Sequence, residues 1–437
     1  MLSRRGAKSA ASQDIPWRFA PGGNNRYDKI TKPSGVVSFG TAENGLVQDE
    51  LEEYVAQNVK IPALAFTYRF STMGGPRFPI AMAAHMNEYF NPHSPIEPSH
   101  ILTGAALTSI HEMVGLSLAD PGDGILVSRP IYGRFELDFG NTAGLEIVYT
   151  DNDGIDPFAP EIIQQYQKAF DRSAAKDVKV KAILIVNPHN PLGRCYPPST
   201  LIALMEFCQR NEIHMISDEV YALTVYDTGI PDLPKFSSVL SIDPTGLIGV
   251  ERLHVFYGMS KDFAAGLRLG SLISRNALLR KSVAANMRFH GPSGMSIAIG
   301  TAVLEDRAFV KRFIALSRER LTECRAFTTG ILDKAGIKYA GHGNAGLFLY
   351  IDLSPWLPTK SHNEQPDYER EFALAQRLLD AGVGVHPCEE HGEIPGHFRL
   401  VFSQDRDTLA EGLRRLVDTL GPVPEAKVNG TYVNGGM

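Results

Sequence analysis

Short apolar runs, each closed by proline, glycine or carboxylates, alternate with helix-length stretches through the middle of the chain. Ala182-Ile-Leu-Ile-Val186 and Leu253-His-Val-Phe256 read as buried strands because apolar residues run on without a helical period. Ile213-His-Met-Ile-Ser-Asp-Glu-Val-Tyr221 is a third strand-like run, ending in two carboxylates and a phenol. The loop Asn187-Pro-His-Asn-Pro-Leu-Gly193 comes after the first run, and the pattern then predicts a helix from Pro197 or Ser199 to about Asn211. Strand and helix signals alternating over about 61–304 predict an α/β unit on a mostly parallel sheet. No internal repeat interrupts them.

In such sheets ligands bind beyond the carboxyl ends of the strands, so Asn190, Asp218, Tyr221 and Lys261 are expected to converge from three strand ends. Carboxylates at strand ends also serve as helix caps, and that alternative stands for Asp218 and Glu219. Lys261 carries the strongest chemical signal. It sits at a strand end in Gly258-Met-Ser-Lys-Asp-Phe-Ala-Ala-Gly-Leu-Arg-Leu-Gly270, with Gly266 and Gly270 around Arg268. A lysine that becomes a neutral amine attacks carbonyls, and an arginine among small residues suits a phosphate. An aldehyde-bearing phosphorylated cofactor needs both, which points to pyridoxal 5'-phosphate. A surface lysine and arginine in a glycine-rich loop is the plainer alternative.

The markers Ala42-Glu-Asn44, Thr103-Gly-Ala-Ala106, Asn187-Pro-His-Asn-Pro-Leu-Gly193, Ser217-Asp-Glu-Val-Tyr221, Ser260-Lys-Asp262 with Arg268, and Phe398-Arg-Leu400 occur in this order. With them the chain resembles a fold type I pyridoxal-phosphate enzyme of the class I/II aminotransferase family over roughly residues 35 to 418. Within that family it is most similar to the branch of aminocyclopropane-carboxylate synthases and their fungal relatives. The resemblance implies a large cofactor domain over 61–304 and a smaller α+β domain from 13–60 with 305–422. It implies that Lys261 holds the cofactor as a Schiff base and then shuttles the proton at the substrate Cα. Asp218 would face the pyridine nitrogen, Tyr221 and Asn190 the phenolic oxygen, and Tyr132 would stack on the ring. A half-buried tyrosine after a proline turn is the alternative for Tyr132.

Phosphate binding departs from the family pattern. The resemblance assigns it to Gly104, Ala105 and Ala106 opening a helix from Leu107 to about Ala119, with Ser260 and Arg268. Two alanines stand where relatives carry a hydroxyl, Gly258 stands where many carry serine, and the Lys261–Arg268 loop is one residue shorter. For the substrate, Arg399 in His397-Phe-Arg-Leu-Val-Phe402 matches the clamp on the α-carboxylate. Glu43 matches a residue that approaches the substrate in the cyclopropane-forming branch, or else caps a helix beginning near Gln48. Tyr68 matches a phenol that crosses from a partner subunit, which implies a homodimer.

Composition fits this picture. With 43 basic and 49 acidic residues the net charge is −6, and no basic stripe offers itself to nucleic acid. No apolar run approaches the roughly 18 residues of a membrane span. Cys195, Cys208, Cys324 and Cys388 are widely spread, which suits a reducing, cytoplasmic compartment. Residues 1–12 and 423–437 read as disordered; the first is basic enough to hint at a mitochondrial presequence, and the second holds an idle Asn429-Gly-Thr431 sequon. The polar stretch 352–367 reads as a surface insertion. His386, Cys388, His391 and His397 cluster like metal ligands, but at no familiar zinc spacing, so no metal is expected. The function expected is transamination between an α-amino acid and a keto acid. Elimination at Cβ or Cγ by a lyase is the alternative, and a non-catalytic cofactor-binding regulator is disfavoured because no DNA-binding module precedes the fold.

Overall fold

The structure is a computed structural model and describes residues 1–14, 25–70, 72–361, 366–387, 392 and 394–424. A short strand, β1 (Val37–Ser38), comes first. Seven strands then build the central sheet: β2 (Ile101–Ala105), β3 (Gly124–Ser128), β4 (Glu146–Thr150), β5 (Val180–Val186), β6 (His214–Asp218), β7 (Leu253–Gly258) and β8 (Leu269–Ser274). They lie in the order β2-β8-β7-β6-β5-β3-β4. Neighbours pair in parallel except on either side of β8, so β8 alone runs against the rest.

The strands are nearly continuous in apolar residues because both faces of the sheet are covered. Successive side chains point to opposite faces. In β5, Ala182, Leu184 and Val186 join a core with Leu107 and Ile110 of the helix Ala106–Leu118, whereas Ile183 and Ile185 join a second core with Leu201 and Leu204 of the helix Pro198–Arg210. The expected helix near 197–211 is therefore present, and its boundaries move by about one residue.

After the helices Ala277–His290 and Gly294–Glu305, a 29-residue helix (Arg307–Ala335) leads away from the large sheet and ends at Gly336, whose φ of +70° is the left-handed cap glycine tolerates. Four strands come next: β9 (Lys338–Tyr339), β10 (Phe348–Asp352), β12 (His386–Pro387) and β13 (His397–Val401), with β11 (Val383–Gly384) between β10 and β12 in the chain. They form an antiparallel sheet in the order β12-β13-β10-β9, while β11 pairs in parallel with β1. N-terminal and C-terminal segments thus meet through Val37 and Val383.

Three expectations change. Arg4–Ala11, read as a disordered arm, is a helix capped by Ser3, with no buried residue. The insertion at 352–367 is not wholly superficial, since Trp356 and Leu357 are buried apolar side chains. Glu43 caps no helix: the helix Gln48–Asn58 has Val47 at its N-cap, and the preceding turn is capped by Asn44. The sequon, Cys388 and His391 lie outside the described residues.

Candidate active site

Strands β2, β3, β5, β6 and β7 all run the same way, and the chain leaving each carboxyl end contributes to one cavity of about 320 Å³. Asn190 arrives after β5, Asp218 closes β6, Tyr132 comes after β3, and Lys261 after β7. Ala106, after β2, opens the adjoining helix. The remaining wall comes from the other sheet, through Arg399 of β13 and His386 of β12, and from the segment Gly40–Ala42.

Lys261 lies on a single π-helical turn, Ser260–Ala264, immediately beyond β7. Its Nζ donates to the Ala42 carbonyl at 2.7 Å and stands 5.8 Å from the centre of the Tyr221 ring. Burial first, and then the Arg399 guanidinium, push this amine down to about 8; Glu43 and Asp218 pull the other way. The phenol of Tyr221, itself buried, is raised well above its usual range by the same loss of water.

Asp218 sits at the cavity floor, only 5% exposed. Its Oδ1 accepts from the Val220 amide at 3.1 Å within a turn, and no helix follows for it to cap, the next helical element being Val239–Ser241. Its Oδ2 is 3.3 Å from His111 Nε2. The other ring nitrogen of His111, Nδ1, meets Asp138 Oδ2 at 2.9 Å. His111 is buried with edge and tilted contacts to Phe135, Phe139 and Phe256. Burial opposes its charge, but the two carboxylates outweigh burial and lift its pKa to about 9.

The end of the cavity nearest Arg268 differs from the sequence expectation. The helix begins at Ala106, so Ala106, Leu107 and Thr108 line the cavity, whereas Gly104 and Ala105 do not. Gly104 pairs with Gly270 inside the sheet, and the Ala105 carbonyl accepts from Ser109 Oγ. Thr108 thus brings the hydroxyl that the two alanines lacked. The short loop is pinned where the Ala106 amide donates to the Arg268 carbonyl at 3.0 Å, with Arg268 at a φ of +51°. This brings β8 close. A Cβ on Gly270 would lie 2.4 Å from the Ala106 carbonyl carbon, and one on Gly258 would lie 2.7 Å from the Leu269 oxygen. The missing serine at 258 therefore has a steric reason. Ser260 and Arg268 both line the cavity.

Arg399 is 5% exposed. Nη1 donates to Asn190 Oδ1 at 3.1 Å and Nη2 to the Gly40 carbonyl at 2.7 Å, while Nε is buried without a hydrogen-bond partner. His386 is opposite Arg399 in the strand register, against Gly40. Glu43 is exposed and lines a neighbouring surface cavity, which shares Thr41 with the first. Tyr68 is fully exposed and lies outside both. Tyr132 is half-buried, packs edge-on against Phe135, and lines the cavity.

Sequence reasoning missed Thr108, His111 and Asp138. The available signal was a histidine amid the buried stripe Ile110, Met113, Val114, and an acid between Phe135 and Phe139. Among the described residues no three His, Cys, Asp or Glu gather as for a metal, and His397 instead stacks on Tyr350.

Residues 48–416 match the model of a family described as "Aminotransferase class I and II". "Probable aminotransferase aclI" of Aspergillus oryzae is 30% identical over 96% of this chain and 98% of that protein. "1-aminocyclopropane-1-carboxylate synthase-like protein 1" of Bos taurus is 29% identical over 92% and 79%. Among solved structures, an aspartate aminotransferase mutant of Thermus thermophilus superposes with a TM-score of 0.69 at 21% identity, over 96% of this chain and 99% of the other; at that identity the likeness speaks for the fold alone.

Proposed function

The chain belongs to the aminotransferase class I and II family, and we propose that it binds pyridoxal 5'-phosphate at Lys261 and moves the amino group of an α-amino acid to a keto acid. The observation that carries this reading is a lysine amine depressed to about 8 facing a carboxylate, a phenol and a guanidinium in one cavity.

The donor set fits that cofactor. Asp218 offers a buried carboxylate for the ring nitrogen, Tyr221 and Asn190 a phenol and an amide for the ring oxygen, and Tyr132 an aromatic face. Ser260, Thr108, Arg268 and the helix amides after Ala106 offer hydroxyls, a cation and N–H donors for the phosphate. When bound, pyridoxal 5'-phosphate supplies an aldehyde and an electron-accepting ring.

The rest is done by the protein. Lys261, its amine lowered to about 8, would offer a neutral nucleophile to that aldehyde near pH 8 without first losing a costly proton. Freed by substrate, the same amine stands ready to take the Cα proton and return it elsewhere. Arg399 holds the α-carboxylate through its buried Nε edge, so that the amino acid enters in one orientation.

The reading includes a homodimer. Leu64 and Phe66 on the turn Ala63–Phe66 and Ile80 on the helix Phe78–Tyr89 are exposed apolar side chains on two elements that both pack against the helix Gly294–Glu305, with exposed Tyr68 just beyond the first, a concentration that supports a partner surface. Tyr68 would then reach the partner's cavity rather than its own. The division into 61–304 and 13–60 with 305–422 is supported by the separate sheets. A reducing, cytoplasmic setting is supported by Cys195, Cys208 and Cys324 being free and buried. No helix among the described residues is long and apolar enough to cross a membrane.

Elimination by a lyase is the second reading, favoured by Glu43 lying close enough to raise the Lys261 pKa. Incubation of the loaded protein with single amino acids separates the two. Nitrogen retained on the cofactor as its amine form supports transamination, and ammonia with a released keto acid supports elimination. Lys261→Ala should abolish the borohydride-reducible adduct; an unchanged adduct would remove Lys261 from its role.

A further inference from the structure

We infer that His111 is a positioning residue: held as an imidazolium by Asp138, it sets an opposite charge against the Asp218 carboxylate and holds it at the cavity floor. The inference rests on the cofactor reading, because it is toward the cofactor's ring nitrogen that a charged Asp218 would act.

Geometry points to a charged ring. His111 has a carboxylate on each side, Asp138 Oδ2 at 2.9 Å from Nδ1 and Asp218 Oδ2 at 3.3 Å from Nε2. A neutral imidazole has one nitrogen with a lone pair, and here that lone pair would face an anion at close range. Only a doubly protonated ring presents N–H to both. Asp138 and Asp218 are the charged groups that bear on the ring, Asp138 from the helix Phe135–Gly140 and Asp218 from the end of β6. From β7 comes the phenyl ring of Phe256, and Phe135 and Phe139 complete a dry box. The pKa of about 9 agrees with that arrangement.

The Asp218 contact is not an aligned hydrogen bond, since Nε2 is buried with no hydrogen-bond partner. What Asp218 feels from His111 is therefore mainly charge. The imidazolium stands as a fixed opposite charge 3.3 Å from Oδ2, and the Val220 amide on Oδ1 sets the orientation of the carboxylate. Asp138 acts one step further back, fixing which way the ring points and supplying the counter-charge that lets the histidine stay protonated.

The test begins on the cofactor-free full chain. Imidazole nitrogen NMR, with the His111 signals identified by their loss in H111Q, should find both ring nitrogens protonated at pH 7.5 in the unaltered chain. In D138N the ring should lose its second proton at a lower pH. A neutral His111 at pH 7 in the unaltered chain overturns the inference. The second measurement is titration with pyridoxal 5'-phosphate, monitored by its visible absorbance across pH. H111Q and D138N should each bind about 10- to 100-fold more weakly, with a displaced spectral pH profile, the scale of one charge-assisted contact. D138N preserves side-chain volume and serves where H111Q fails to fold. Unaltered affinity and spectrum in both variants would overturn the role of His111 alone, whereas no binding by the unaltered chain would overturn the cofactor reading itself.

Discussion

Arg399 and Asn190, 209 residues apart in the chain, share a 3.1 Å hydrogen bond across the junction of the two sheets' loops. The bond runs from Nη1 to Oδ1, so the Asn190 amide group has its oxygen turned to the guanidinium and its NH2 left for the cavity. Gly40 takes the Nη2 side with its carbonyl, and the buried Nε edge is what remains for a carboxylate. One arginine therefore fixes Asn190, and on the proposed function the same guanidinium would orient the substrate.

Arg399→Leu should raise KM for the amino acid about 10- to 100-fold, the scale of a lost charge-assisted pair, in steady-state assays with varied amino donor. Asn190→Ala should disturb the guanidinium less and the absorbance of bound cofactor more. An unchanged KM in Arg399→Leu would remove the carboxylate clamp.

The Lys261 amine, lowered from 10.5 to about 8, gives a pH dependence of definite sign. The unfolded chain binds this proton more tightly, so the folded state carries a penalty below about pH 8 that is relieved as pH rises toward 10.5. Stopped-flow binding of pyridoxal 5'-phosphate to cofactor-free protein should accelerate through pH 8 and then level off. Glu43→Gln, which removes a charge that raises the pKa, should shift that midpoint down, and Arg399→Leu should shift it up. A midpoint unmoved by either change would remove Glu43 and Arg399 from the causes of the shift.

Gly258→Ser should not restore the phosphate contact that relatives gain from serine. The new side chain would meet the Leu269 carbonyl, and overpacking of this kind costs about 1–3 kcal/mol, readable as a lower Tm. Thr108→Val, by contrast, should leave stability nearly intact and weaken cofactor affinity roughly 2- to 12-fold, the range of one neutral hydrogen bond. Tighter binding by Gly258→Ser would contradict the packing argument.

Phe66→Asp should shift the sedimentation profile toward the monomer, because a charge replaces an apolar side chain that is 75% exposed in the isolated chain. If Tyr68 reaches the partner's cavity, Tyr68→Phe should weaken cofactor affinity in the assembled form while leaving assembly unchanged. A Phe66→Asp profile identical to that of the unaltered protein would place the dimer surface elsewhere.

Three strands of the large sheet, β5, β6 and β7, and the residues at their carboxyl ends were legible in the order of amino acids. An apolar run must be buried on both faces, and the chain beyond it must turn at the sheet edge, which is enough to place Asn190, Asp218 and Lys261 together. Arg399 was legible for a related reason, since a guanidinium in an apolar strand needs a partner. Contacts between distant segments settled the rest. The cavity wall near Arg268 passes from Gly104 and Ala105 to Thr108 because the helix starts where Gly270 lets Ala106 approach, a meeting of residues far apart in the chain. His111 and Asp138 stayed hidden for the same reason. Each looks like one polar residue on an apolar helix face, and their chemistry exists only where two helices and the end of β6 bring two carboxylates within 3.3 Å of one imidazole.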